Sequence, residues 1–90
     1  MSQTKVLLVD DEASIVQLAK MYLEREGYQV QSVGDGLQAL QSARASRPDL
    51  LVLDVMLPGL DGFEVCRRIR QEDSTLPVLM LTARDDDIDK

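Results

Sequence analysis

The sequence predicts an α/β fold in which one parallel sheet, strand order 2-1-3-4, carries helices on both faces. Three observations lead there. The runs Val6-Leu7-Leu8-Val9, Leu50-Leu51-Val52-Leu53 and Val78-Leu79-Met80-Leu81 are continuously apolar, as strands covered on both faces are. Between these runs the apolar spacing lengthens to that of a helix. A fourth strand-like stretch, 28–33, mixes Gln29, Gln31 and Ser32 with Tyr28, Val30 and Val33, which suits a sheet edge.

Taken in order, the first strand ends at Asp10-Asp11. Ile15, Leu18, Ala19, Tyr22 and Leu23 then mark a helix that Gly27 stops. The half-polar strand follows. Asp35-Gly36 opens a second helix marked by Leu37, Leu40 and Ala43, and Pro48-Asp49 turns the chain into the next apolar run, which ends at Asp54. Pro58-Gly59 and Asp61-Gly62 punctuate a loop. A third helix follows, with Phe63, Cys66 and Ile69 expected inward, and Pro77 precedes the last run. Asp85-Asp86-Asp87 reads as the acidic first turn of a fourth helix rather than a second metal site. Strands alternating with helices make a parallel sheet with right-handed crossovers, so the chain reverses its direction of winding between the first and third strands.

Composition sets the bounds. With 90 residues the chain is one small domain. Aromatic residues are 3% of the total, so the core must be aliphatic. A net charge of −6 argues against direct nucleic-acid binding by this chain and favours attraction of cations. The single cysteine, Cys66, excludes an internal disulfide and the usual zinc cages, and reads as a core residue. No apolar run approaches a membrane span and no signal-peptide segment opens the chain, so a cytoplasmic protein is expected.

In open parallel sheets, sites form at the carboxyl ends of strands where the winding reverses. Asp10 and Asp11 follow the first strand there and Asp54 follows the third. Capping of the first helix would explain one of Asp10 and Asp11 but not Asp54. Three neighbouring carboxylates repel unless a cation sits among them, and Mg²⁺ prefers carboxylates, water and phosphate oxygen. Beside such an ion a carboxylate can act as a nucleophile toward phosphorus. Thr82, at the end of the fourth strand, is placed to offer a hydroxyl to the phosphoryl oxygens, and Ala83 leaves room for them.

Leu8-Val9-Asp10-Asp11-Glu12, the stretch from Leu53-Asp54-Val55-Met56 through Leu57-Pro58-Gly59-Leu60-Asp61-Gly62, and Leu79-Met80-Leu81-Thr82-Ala83-Arg84 together resemble the receiver domains of bacterial response regulators. The resemblance spans essentially the whole chain. It implies a flavodoxin-like three-layer sandwich and a switch that takes a phosphoryl group from a sensor histidine kinase, rather than a true enzyme. It implies Asp54 as the phosphorylated residue and Asp11, Asp54 and the Met56 carbonyl as ligands of Mg²⁺ or another divalent cation, with Asp10 acting through water. Thr82 becomes the switch hydroxyl, and Pro58 and Gly59 shape the adjoining loop. The run from Thr82 to Lys90 resembles the subclass whose output domain is a winged-helix DNA binder.

A complete receiver domain continues through a fourth helix, a fifth strand whose following lysine pairs with the phosphoryl group, and a fifth helix. Residues 1–90 are thus expected to be a receiver domain truncated at its C-terminus, with the metal ligands present but phosphotransfer weakened. One sheet face is expected to be bare over the third and fourth strands, and the chain to form a homodimer or larger oligomer. Three other functions compete with this one. A phosphatase of the haloacid-dehalogenase type needs a second Asp where Met56 stands. A flavodoxin-like cofactor binder needs a phosphate loop rich in Ser, Thr and Gly where Asp10-Asp11-Glu12 stands. The third is a building block for fold recombination with no signalling role.

Overall fold

The apolar runs do become the sheet. In a computed structural model, which describes residues 3–57 and 60–81, the strands are β1 (Lys5–Val9), β2 (Gln29–Val33), β3 (Leu50–Asp54) and β4 (Val78–Leu81). They pair in parallel in the order β2-β1-β3-β4. The connecting helices are α1 (Ala13–Arg25), α2 (Gly36–Ser46) and α3 (Gly62–Glu72). The half-polar strand is at an edge, where its exposed Gln29 and Gln31 discourage further pairing.

The pleat sorts the strand residues onto two faces. Leu7, Val9, Leu51 and Leu53 face α2 and α3, and pack with Ala39, Leu40, Val65, Ile69 and Leu76 into the larger core. Val6, Leu8 and Val52 face α1 and pack with Val16, Ala19 and Leu23. The register pairs Val52 with Leu79 and Asp54 with Leu81, so Leu79 and Leu81 share the α1 face. They lie 52% and 37% exposed, which agrees with the expected bare surface over β4; Val52, on β3, is buried.

Two inward faces differ from the sequence expectation. On α1, Ala19 and Leu23 face the sheet as expected and Val16 joins them, whereas Ile15, Leu18 and Tyr22, the rest of the expected stripe, are exposed. On α3 Phe63 points out, 63% exposed, and the buried residues are Gly62, Val65 and Ile69, with Cys66 partly buried against the core. Both helices carry apolar residues on adjacent stripes, and fit against the sheet decides between them. The small Ala19 lets α1 approach closely, and Val65 and Ile69 are one turn apart on the face that meets α2.

The ends of the helices follow local chemistry. Gly27 takes a φ of +96° just past α1, a conformation that suits glycine. Asp35 and Asp61 cap α2 and α3 by accepting from the Gln38 and Glu64 N–H groups at 2.8 and 2.9 Å. α2 ends at Arg47, whose φ of 50° is left-handed, with Pro48 next. At the foot of the sheet, Lys5 N–H donates to Asp49 Oδ2 at 2.8 Å and Asp49 N–H donates to the Lys5 carbonyl at 2.8 Å. The expected fourth-helix start at Asp85-Asp86-Asp87 lies outside the described residues.

Candidate metal centre

Parallel strands deliver their C-terminal residues to one edge of the sheet, and neighbours in register arrive side by side. Val9 pairs with Leu53, so the next residues, Asp10 and Asp54, emerge together. Asp11 follows in the turn to α1. One carboxylate oxygen from each of Asp10, Asp11 and Asp54 lies within 4.8 Å of the other two. Asp10 and Asp54 are buried, 6% and 4% exposed, whereas Asp11 is open to solvent.

Local backbone bonds orient the two buried side chains. Asp10 Oδ1 accepts from the Glu12 N–H at 2.9 Å, and Asp54 Oδ1 accepts from the Met56 N–H at 3.1 Å. Among the described residues the second oxygen of each has no hydrogen-bond donor, so each carboxylate is fixed by one oxygen and offers the other. Neither Asp10 nor Asp11 caps α1. Its N-cap is Glu12, through the backbone, with Val16 N–H donating to the Glu12 carbonyl at 3.0 Å.

Electrostatics favours a cation here. Burial pushes the Asp10 carboxyl above its ordinary 3.8; the Glu12 N–H opposes the shift, and the charges of Asp54, Asp11 and Glu12 add to it. No basic side chain is hydrogen-bonded or ion-paired to the cluster among the described residues: Arg44 pairs with Glu72, and Arg67 and Arg68 with Glu64. Closely set hard oxygen donors, two of them buried and unneutralised, suit a small divalent ion such as Mg²⁺. A concavity lined by Leu40, Ala43, Arg44, Ile69 and Glu72 lies at the opposite end of the sheet.

Of the residues the sequence singled out, Asp10, Asp11 and Asp54 converge as expected. Met56 is the adjoining residue, 59% exposed, with its N–H on Asp54. Thr82 and Ala83, like Pro58 and Gly59, lie outside the described residues. Sequence reasoning missed Gly62 as part of the site. A Cβ there would stand 2.5 Å from the Asp54 carbonyl and 2.7 Å from Val55 Cα, so only glycine lets the start of α3 rest on the end of β3. The Gly62 N–H also donates to the Val55 carbonyl at 2.9 Å. The Asp61-Gly62 pair was visible in the sequence as turn punctuation and as the end of the motif run, but not as a contact of Asp54.

Comparison with known proteins agrees with this geometry. The profile of the family described as "Response regulator receiver domain" matches residues 6–90. The alkaline phosphatase synthesis transcriptional regulatory protein PhoP of Bacillus subtilis is 56% identical over 86 residues, covering 96% of this chain and 36% of PhoP. This chain thus spans little more than a third of that relative's length. A putative response regulator from Chloroflexus aurantiacus superposes with a TM-score of 0.90 at 40% identity, covering 96% of this chain and 72% of that one. The receiver domain of the Pseudomonas aeruginosa sensor histidine kinase PA1611 superposes at 0.88 with 34% identity, over 96% of this chain and 72% of that one; its structure has a magnesium ion coordinated in the active-site cleft. Sheet order, convergent aspartates and relatives lead to one conclusion: this chain belongs to the response regulator receiver domain family.

Proposed function

We propose that Asp54 is the phosphoryl acceptor of a two-component response regulator, working beside a divalent cation held by Asp11, Asp54 and the Met56 carbonyl, with Asp10 acting through water. The observation that carries this is the placement of a buried carboxylate, tethered by one oxygen, within 4.8 Å of two others. In the transfer, the untethered Asp54 oxygen attacks the phosphorus of a phosphohistidine on a sensor kinase. The P–O bond forms as the P–N bond breaks, and the imidazole leaves with the bonding pair and takes a proton from solvent. Bound Mg²⁺ supplies positive charge that offsets the carboxylates and the transferring oxygens. The Met56 N–H holds the carboxylate in its plane, and burial keeps bulk water from the nucleophile. Thr82 supplies the hydroxyl that follows the phosphoryl group, and Ala83 leaves space for it. The role is that of a cytoplasmic signalling switch rather than of a metabolic enzyme. The name of PhoP, a transcriptional regulatory protein, supports an output in transcription elsewhere in a longer protein; that this output is a winged-helix DNA binder rests on the resemblance of the run from Thr82 to Lys90.

The test is phosphorylation by a small-molecule phosphodonor with Mg²⁺, read by intact mass. One phosphoryl group should be gained, and Asp54→Asn should abolish the gain. Equal labelling of the variant sinks the assignment.

A second reading concerns self-association. Leu79 and Leu81 are exposed on the α1 face of β4, the end strand of the described sheet, and Ile15, Leu18 and Tyr22 are exposed on α1. An apolar strand with no charged residue on its edge invites pairing or face packing, so the chain is expected to form a homodimer or larger oligomer. A monomeric molar mass at high concentration refutes this.

A further inference from the structure

Gly36 begins α2 and is buried. Its φ is not in the left-handed region, so its backbone would suit any residue; Gly27 is the one described glycine with positive φ. What Gly36 supplies is space. A Cβ built on it would lie 2.7 Å from both Cβ and the carbonyl oxygen of Leu60, and 2.9 Å from Val65 Cγ2. Leu60 stands two residues before Gly62, whose missing Cβ lets it rest on the backbone of Asp54 and Val55. Two bare contacts therefore stand in series, Gly36 on Leu60 and Gly62 on Asp54.

The same turn also reaches the other buried carboxylate. Val33, the last residue of β2, accepts at its carbonyl from the Asp10 N–H at 3.2 Å. The turn is itself firmly built: Asp35 caps α2, and the Gly34 N–H donates to Gln38 Oε1 at 3.3 Å. One side of the 33–36 turn thus holds the Asp10 backbone and the other bears, through Leu60 and Gly62, on the Asp54 backbone.

We propose that Gly36 is a positioning residue: with Val33 it makes the β2–α2 turn a brace that sets the spacing between Asp10 and Asp54. The inference rests on the metal-binding reading of those carboxylates. A methyl group at position 36 would push Leu60, and with it Gly62, away from α2 and against the Asp54 backbone. Indirect supports of metal ligands typically change affinity by about 10–100-fold when disturbed; the effect here should be at the lower end, about tenfold.

The experiment measures the Mg²⁺ dissociation constant of the 90-residue chain from the shift of the Met56 amide in NMR spectra, at a temperature where each variant is folded. Gly34→Ala is the control from the same turn, since a Cβ there meets nothing within 4 Å; it should bind within twofold of the wild type. Gly36→Ala should bind about tenfold more weakly. A folded Gly36→Ala protein that binds within twofold of the wild type overturns the inference, because a merely structural glycine would alter melting and not the affinity of folded molecules. Should Gly36→Ala not fold, Leu60→Gly decides: it removes the brace without crowding, and unchanged affinity overturns the inference. Absence of Mg²⁺ binding by the wild type overturns the metal reading itself, and this inference with it.

Discussion

Replacing Asp10 by Asn should make the metal-free protein more stable while weakening its hold on Mg²⁺. Asn keeps the shape of the side chain and an oxygen to accept the Glu12 N–H bond, so the change removes charge and little else. With one oxygen of each carboxylate within 4.8 Å of the others, each like-charged pair involving Asp10 repels by roughly 3–4 kcal/mol at an effective dielectric near 20. Solvent around Asp11 and spreading of charge over both oxygens reduce this, and about 1–2 kcal/mol should remain. For a domain this small that is a rise in Tm of roughly 5–15 °C.

The pH dependence has a definite sign. The folded-state pKa of Asp10 is raised above the ordinary 3.8, so its ionisation costs stability at neutral pH, and that cost disappears as pH falls through the folded value. The advantage of Asn should therefore be full near pH 7 and vanish below 3.8. Saturating Mg²⁺ should reverse the ranking if the site binds it as proposed, since a ligand at a hundred times its Kd would add about 2.7 kcal/mol to the wild type. Urea unfolding of both proteins, with chelator and with Mg²⁺, across this pH range is the assay. A variant no more stable than wild type in chelator at pH 7, or one whose advantage persists at low pH, refutes the reasoning.

Gly62→Ala should cost about 1–3 kcal/mol, because the new methyl meets backbone that cannot step aside, and urea midpoints will show it. The Glu64 carboxyl, held at about 2 first by its hydrogen bond to Arg67 and then by Arg68, should titrate there in carbon-detected NMR. Its small contribution is present above 4.5 and lost as pH falls through about 2, and the double change Arg67→Gln and Arg68→Gln should return it to the ordinary value. Leu79→Lys with Leu81→Lys should shift the molar mass toward the monomer; an unchanged oligomer would place its contact elsewhere.

The sheet was legible because burial on both faces leaves a one-dimensional mark. Continuous runs such as Leu50 to Leu53 have no polar position, and the glutamines of β2 mark it as an edge. The convergence of Asp10 and Asp54 follows from that order alone. The helix faces were less legible. Ile15, Leu18 and Tyr22 form as good a helical stripe as Val16, Ala19 and Leu23, and spacing cannot say which one a sheet will accept. Phe63 looks like an anchor by size, yet Val65 and Ile69 fill the space beside α2. The two close-approach glycines, Gly36 and Gly62, carried no sign of their role, since the atoms they admit are distant in sequence or belong to another element's backbone.

The paired bonds between Lys5 and Asp49 lie at the far end of the sheet from the carboxylates, yet they act as the zero mark of a ruler. Side chains alternate between faces, so a slip of one residue between β1 and β3 would turn Asp54 from the α1 side to the side of α2 and α3, leaving Asp10 with no companion. The apolar runs oppose such a slip only weakly, because Leu50 through Leu53 would look much the same after a shift by one. Nearly uniform strands need a start point fixed by polar groups. In this sense the alignment of the two buried aspartates begins at Asp49, which never touches them.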